Sequence, residues 1–132
     1  MDIYKNDDQS SMFSISKNDF DQGNGRRSFA YSISVSSAGF SAALSNIWFE
    51  EEEILRFIDN LSSLTSGKKS SLIFEAMSDF KLTIHDKGGL GHFTLEFFLE
   101  RQMVGNFARI TIILSTQVLI NFATGLKLSI QG

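Results

Sequence analysis

Hydrophobic and polar residues alternate along much of the chain, which is the pattern of a β-strand with one buried face. In the clearest run, residues 29–35, aromatic or branched side chains occupy every second position, with Ala or Ser between them. This alternation, together with short apolar runs, predicts about seven strands: Met12 to Lys17, Phe29 to Val35, Phe40 to Phe49, Leu72 to Ala76, Phe80 to His85, Phe93 to Leu99 and Phe107 to Leu114.

The segments between these strands carry residues that favour turns. Residues 1–11 are polar and are expected to be flexible, and Asn18 to Arg27 is rich in Asn, Asp and Gly and predicts a loop. Tight turns are predicted at Ser36 to Gly39, at Gly88 to Gly91 and at Arg101 to Asn106. Because turns of hairpin length join antiparallel neighbours, the sheet is expected to be antiparallel.

Two segments change to helical spacing, in which apolar residues recur every three or four positions. The first helix is predicted to begin at Glu50 and to end at Gly67, and the second to begin near Ser115 or Thr116, either of which can accept hydrogen bonds from free backbone amides. Gly125 lies inside the second helix, at a cost of about 1 kcal/mol relative to Ala. The expected buried stripes are Ile54, Leu55, Phe57, Ile58, Leu61 and Leu64 in the first helix and Leu119, Phe122 and Leu126 in the second.

A strand–strand–helix pattern occurs twice in this reading. Residues 31–35 align in pattern with residues 93–97, and the apolar stripes of the two helices align as well. The chain of 132 residues has the commonest size for one domain. We therefore predict an α+β fold with one antiparallel sheet of about seven strands and two helices, forming a single domain over residues 1–132.

Composition sets the class of protein and the expected compartment. Apolar residues make up 42% of the chain and include thirteen Phe, which is enough for a large core. The chain has no Cys, so disulfides and thiolate metal sites are impossible, as suits a reducing compartment. The first eight residues lack the basic start and apolar stretch of a secretory signal, and a cytoplasmic location is expected.

The net charge and the few basic clusters of the chain predict that its partner is not a nucleic acid. The net charge is −3, and the only clusters of basic residues along the sequence are Arg26-Arg27 and Lys68-Lys69, both in predicted loops. Phosphate neutralisation dominates the affinity of nucleic-acid binders, which are expected to carry a basic patch. The sequence thus predicts that the protein binds no nucleic acid, and it predicts no membrane partner.

His85, Asp86 and His92 form the best candidate for chemistry. The two histidines flank a predicted hairpin and with Asp86 would offer three metal ligands. The alternative is that they are polar residues at the rim of the sheet. A catalytic role would require all three side chains to converge in one cleft. We predict no metal, no cofactor and no catalytic residue, and hence no enzyme.

Two glycine-containing segments resemble known binding loops but depart from their patterns. Gly88 to Gly91 leads into a strand, whereas a phosphate-binding loop leads into a helix. Asp19 to Asn24 resembles the start of a calcium loop, but its Gly is displaced and Ala30 takes the place of the closing Glu. Both segments are therefore expected to be ordinary connections.

Four consecutive glutamates, Glu50, Glu51, Glu52 and Glu53, follow Trp48 at the start of the first helix. Negative charge is favoured there by the helix dipole, which explains the cluster without any function. The functional alternative is an acidic contact surface for a basic protein partner, with Trp48 as an aromatic anchor. These five residues are the predicted binding site.

The order of elements resembles that of small bacterial proteins known as WapI-type immunity proteins and their uncharacterised relatives. The resemblance rests on residues 91–99, on Ile110 to Leu114, on the terminal helix, and on Ile47-Trp48-Phe49 running into the first helix. It covers about residues 28 to 130. It implies a cytoplasmic protein that binds and neutralises a toxin, and it brings no catalytic residues with it.

The sequence therefore predicts a protein-binding domain without enzymatic activity, an immunity-type inhibitor that blocks a partner toxin by stoichiometric contact. The alternative is a structural or small-ligand-binding module with a pocket between sheet and helices. A homodimer is the other assembly considered.

Overall fold

The computed structural model describes residues 1–76, 79–101 and 106–131. Its elements are β1 (Asp2–Lys5), β2 (Ser11–Gly23), β3 (Arg26–Ser37), β4 (Phe40–Glu50), α1 (Glu51–Thr65), β5 (Ser71–Ala76), β6 (Phe80–Asp86), β7 (His92–Arg101), β8 (Asn106–Ser115) and α2 (Thr116–Ser129). Strands β1–β4 form a first antiparallel sheet and β5–β8 a second, each with its strands in chain order. Each half of the chain is thus a four-stranded meander followed by a helix.

The α+β class, the antiparallel pairing and the two helices are confirmed, whereas the single sheet of about seven strands is wrong. Eight strands divide into two sheets of four. The repeat is therefore four strands and a helix, and the aligned residues 31–35 and 93–97 lie on the equivalent strands β3 and β7. Alternation locates a strand but does not tell which sheet it joins, because a one-sided strand looks the same in either.

The first strand was missed because only one of its side chains is buried. Residues 1–11 contain β1, which pairs with β2, and in it Tyr4 is 7% exposed while its neighbours face solvent. A four-residue strand with a single buried position has no alternation to detect. This segment is therefore ordered at Asp2–Lys5 rather than flexible throughout.

The predicted loop Asn18 to Arg27 is instead the end of a long hairpin. Strand β2 continues to Gly23, which pairs with Arg26, and the chain reverses at Asn24 and Gly25. Both turn residues have positive φ, 55° and 74°, as a two-residue hairpin turn requires. The strand residues before the turn face solvent, so polar composition concealed the extended backbone.

The other predicted connections agree with the structure where it describes them. Ala38 and Gly39 make the turn between β3 and β4, and Gly88, Gly89 and Gly91 all have positive φ in the β6–β7 connection. Of the predicted turn Arg101 to Asn106, residues 102–105 lie outside the described residues.

Each sheet turns one face into a common core that both helices cover. A stack of three rings joins the halves, since Phe74 of β5 lies 4.2 Å from Phe49 of β4 and 4.0 Å from Phe57 of α1 between ring centroids. Phe13 of β2 makes the second link, 5.1 Å from Phe97 of β7. These aromatic contacts fix the two sheets against one another.

Both helices bury the stripes that their spacing predicts, with two exceptions in α1, since Ile58 is only partly buried and Leu55 is exposed. Ile54, Phe57, Leu61 and Leu64 of α1 and Leu119, Phe122 and Leu126 of α2 are buried. Leu55, expected in the first stripe, is 42% exposed, because it lies one position away from the face that meets the sheet. Ser115 caps α2, its hydroxyl accepting from the Val118 amide at 3.4 Å. Among the described residues, neither helix combines the length and apolar character needed to cross a membrane.

Gly125 is required because β1 packs against α2 at that position. A Cβ atom built there would collide with the hydroxyl oxygen of Tyr4 and would lie 2.8 Å from a carboxylate oxygen of Asp2. The Tyr4 ring is held in the core, 4.9 Å from Phe13 and 5.2 Å from Phe122. Gly125 therefore lowers the helix propensity of α2 but allows β1 to pack closely against it.

We expect Gly125→Ala to lower the free energy of unfolding by up to about 2 kcal/mol. Overpacking a buried ring costs about 1–3 kcal/mol, which offsets the gain of about 1 kcal/mol that Ala brings in a helix. Denaturant unfolding measures the change. The double variant Tyr4→Phe/Gly125→Ala should recover most of it relative to Tyr4→Phe alone, because the colliding hydroxyl is gone. A stability gain for Gly125→Ala in the wild-type background would contradict the close contact.

Candidate functional site

The acidic turn predicted as a binding site is largely engaged within the chain. Arg27 Nη1 lies 3.1 Å from Oε2 of Glu51 and forms an ion pair with it. The same Oε2 atom is buried and has no hydrogen-bond partner among the described residues. Glu53 Oε1 accepts from the backbone amide of Glu50 at 3.0 Å, which closes the first turn of α1. Glu52 is exposed, and Trp48 is 42% exposed on the outer face of β4. Helix capping and an ion pair thus account for three of the four glutamates.

The three residues of the candidate metal or catalytic cluster have separate surroundings. His85 pairs across the sheet with Thr94, and the Asp86 carboxylate accepts from the Gly89 amide at 3.0 Å inside the turn. His92 Nε2 lies 3.5 Å from a carboxylate oxygen of Asp7. The described part of the chain holds no group of three potential metal ligands. The Asp86 carboxylate therefore stabilises the β6–β7 turn and does not share a cleft with the two histidines.

The outer face of the second sheet carries a different combination of side chains. Strand β7 lies between β6 and β8 and buries Phe93, Leu95, Phe97 and Leu99. The positions between them point outward, as do the corresponding positions of β5, β6 and β8. The outward residues near the middle of this face are Ile73, Glu75, Lys81, Thr83, Glu96, Phe98, Glu100, Phe107, Arg109 and Thr111.

Two phenylalanines form an exposed aromatic platform on this face. Phe98 and Phe107 lie 5.9 Å apart between ring centroids, with an interplanar angle of 29°. Phe107 is 69% exposed, while Phe98 is partly buried beneath its neighbours. Adjacent large apolar side chains on a sheet face that is otherwise mainly polar suggest an interaction site.

Cationic side chains lie on both sides of the platform because of the strand register. Phe98 pairs with Lys81 on β6 and with Arg109 on β8. The guanidinium carbon of Arg109 lies 5.9 Å from the centre of the Phe98 ring, and its Nε lies 3.6 Å from Oε1 of Glu96. A shallow depression of about 210 Å³ is lined by Lys81, Thr83, Glu96, Phe98 and Arg109. This arrangement can stack a planar ring and hold an anion beside it.

None of the central residues of this platform was proposed from the sequence. Phe98 stands on the polar phase of an alternating strand, directly after the buried Phe97. An aromatic residue in the outward phase was the available signal. Lys81 and Arg109 carry no recognisable signal in the sequence, because each is a single cation on its own strand. Only the strand register brings them together beside Phe98.

A larger cleft lies elsewhere, between the first sheet and α2. It measures about 660 Å³, and Tyr4, Tyr31, Lys17 and Ser129 are among its lining residues. Lys17 Nζ donates to the Ser129 carbonyl oxygen at 2.6 Å, and the Tyr31 hydroxyl lies 2.7 Å from the Ser129 hydroxyl. These hydrogen bonds fix the end of α2 against the first sheet. The polar groups of Lys17, Tyr31 and Ser129 in the cleft are therefore bonded to one another.

The fold is shared with solved structures. The chain matches Trypanosoma brucei MRP1/MRP2 with 11% identity and a TM-score of 0.51, over 95% of this chain and 80% of that one. It matches a guide-RNA-binding protein complex bound to a gRNA with 10% identity and a TM-score of 0.50, over 90% of this chain and 88% of that one. At these identities the likeness establishes the fold alone. No protein-family model and no curated protein matches the chain.

The prediction of a toxin-neutralising protein that binds no nucleic acid is wrong. The fold is one found in a complex bound to guide RNA. The resemblance to WapI-type immunity proteins is tested by none of these findings and stays a prediction, but the function it implied is withdrawn. The argument from net charge considered phosphate contacts alone and left out the stacking of unpaired bases on aromatic side chains.

Both tyrosines of the chain resist ionisation, which gives the cleft a measurable signature. Burial, together with the neighbouring Asp2 carboxylate, raises the pKa of Tyr4 from 10.0 to about 12, and burial raises the pKa of Tyr31. The unfolded chain loses these protons first as the pH rises. The free energy of unfolding should therefore be unaffected below about pH 10 and should fall between about pH 10 and 12.

Tyrosinate absorbance and denaturant unfolding, followed over the same pH range, check this expectation. In Tyr4→Phe the remaining absorbance change belongs to Tyr31 alone, and the loss of stability above pH 10 should be smaller. Titration of the folded wild-type protein at the ordinary tyrosine pKa would contradict the buried arrangement.

Proposed function

We propose that the protein binds single-stranded nucleic acid on the outer face of its second sheet. The observation that carries the proposal is the exposed Phe98–Phe107 platform with Lys81 and Arg109 on the strands beside it. Four-stranded sheets with exposed aromatic residues are one of the surfaces on which unpaired bases stack. The shared fold with a guide-RNA-binding complex supports the same class of ligand.

Stacking favours a single strand over a duplex. Bases in a duplex are already stacked on one another, whereas an unpaired base exposes a face that a phenyl ring can cover. Each base stacked on an aromatic side chain contributes about 1–3 kcal/mol. The exposed Phe107 ring and the Phe98 ring that lines the depression are the two surfaces on which bases are proposed to stack.

Charge on this face contributes less than stacking. Two cations, Lys81 and Arg109, stand against three carboxylates, Glu75, Glu96 and Glu100. The cations border the platform directly, so they are placed to meet the phosphates of a strand whose bases lie on the rings. Binding should therefore depend on salt only through about two phosphate contacts.

A non-enzymatic role in the cytoplasm is part of the proposal. The His85, Asp86 and His92 side chains have separate surroundings. The protein is accordingly proposed to hold its ligand rather than to transform it.

We expect Phe98→Ala or Phe107→Ala to weaken binding of a short single-stranded RNA by roughly tenfold, since each removes one stacking surface. Fluorescence anisotropy with a labelled oligonucleotide measures the dissociation constant. Trp48→Ala is the matched control, because it removes an exposed aromatic residue from the outer face of the other sheet. Loss of binding in Trp48→Ala, with Phe98→Ala unaffected, would move the site to the first sheet and contradict the proposal.

The salt dependence tests the role of the two cations. With about two phosphates neutralised, the logarithm of the binding constant should fall against the logarithm of salt concentration with a slope of about −1.4. Arg109→Gln should reduce the slope by about 0.7 while leaving stacking in place. A slope several times steeper would require a larger basic surface than this face provides.

A further inference from the structure

We infer that Glu96 makes the site selective for guanine among the four bases. This inference rests on the proposed binding of single-stranded nucleic acid and adds base selectivity to it. Glu96 lies two residues before Phe98 on β7, so its side chain points outward beside the ring on the same face of the sheet. A base stacked on Phe98 would therefore have one edge directed at this carboxylate.

The Glu96 carboxylate is free to accept hydrogen bonds from a ligand. Its only ion pair among the described residues is to Arg109, at 3.6 Å and through the single nitrogen Nε. The side chain is 44% exposed, and it lines the same depression as the Phe98 ring. Thr83 and Thr111 lie opposite it on the neighbouring strands, so uncharged hydroxyls flank it on both sides.

A carboxylate distinguishes the bases by their donor edges, because it offers acceptors only. Guanine presents two adjacent N–H donors on its Watson–Crick edge and can satisfy both carboxylate oxygens. Cytosine and adenine each present one amino donor beside an acceptor ring nitrogen. Uracil has one N–H between two carbonyl oxygens that would face the negative charge. The expected order is guanine first, then cytosine and adenine, and uracil last.

Arg109 supports this geometry by its position. Its guanidinium lies over the Phe98 ring and against Glu96, which holds the carboxylate on the platform side. Glu100, the other carboxylate adjacent to Phe98 on β7, pairs with Phe107 and does not line the depression. The two carboxylates thus have the same charge and spacing from Phe98 but different surroundings.

The test compares labelled RNA oligonucleotides of roughly eight nucleotides, uridine throughout except for one central guanine, cytosine, adenine or uridine. Anisotropy titrations should give roughly tenfold tighter binding for the guanine oligonucleotide than for all-uridine RNA. In Glu96→Gln the preference should move from guanine toward adenine, because an amide offers a donor and an acceptor that match the adenine edge. Glu100→Gln is the matched control and should raise affinity for every oligonucleotide without altering the order.

The outcomes separate the two proposals. Equal binding of all four oligonucleotides, with Phe98→Ala still weakened, would overturn the selectivity and leave the binding surface in place. A guanine preference that survives in Glu96→Gln, or that changes equally in Glu100→Gln, would also overturn it. Failure of the wild-type protein to bind any of the oligonucleotides would overturn both.

Discussion

The stack of Phe57, Phe74 and Phe49 joins the two halves of the molecule, and the rest of the architecture depends on it. A four-stranded sheet with one apolar face has to cover that face, and one helix is too narrow to do so. Phe74 of the second sheet therefore lies between the helix and the last strand of the first half, 4.0 and 4.2 Å from its neighbours. Each such ring pair contributes about 0.5–1.5 kcal/mol beyond the burial of its area. Because both sheets turn inward to this contact, both outer faces are left to solvent.

The two outer faces have different compositions, and that difference supports the second sheet as the proposed binding surface. On the first sheet, small side chains such as Ser14 and Ser34 occupy the outer face of the middle strands, and the exposed Trp48 ring lies on the edge strand β4. The second presents the Phe98–Phe107 pair with charged neighbours. The inward phase of β7 supplies four buried apolar residues to the core, whereas the outward Phe98 and Phe107 rings lie outside that core. A role in binding explains them better than a role in stability.

Much of the fold follows from local pattern, and what failed did so for identifiable reasons. The helices and their buried residues follow from spacing alone, and Ser115 caps α2 as a hydroxyl at that position should. The Asn24-Gly25 dipeptide is typical of a two-residue hairpin turn. The strand residues before it are polar and face solvent, so the composition of this segment predicts a loop instead. β1 was beyond reach, because its order comes from a tertiary contact of Tyr4 with α2. The division into two sheets depends equally on long-range pairing.

The candidate site was out of reach for the same physical reason. Lys81, Phe98 and Arg109 lie on three strands and carry no motif along the chain, yet the register of β6, β7 and β8 sets them in one row. Neighbouring strands lie about 4.8 Å apart, so a row of three spans the width of a base and its phosphate. The total charge of −3 gives no information on which side chains become neighbours across strands. For an antiparallel sheet, the informative unit is therefore the cross-strand row, which a sequence reveals only once its pairing partners are known.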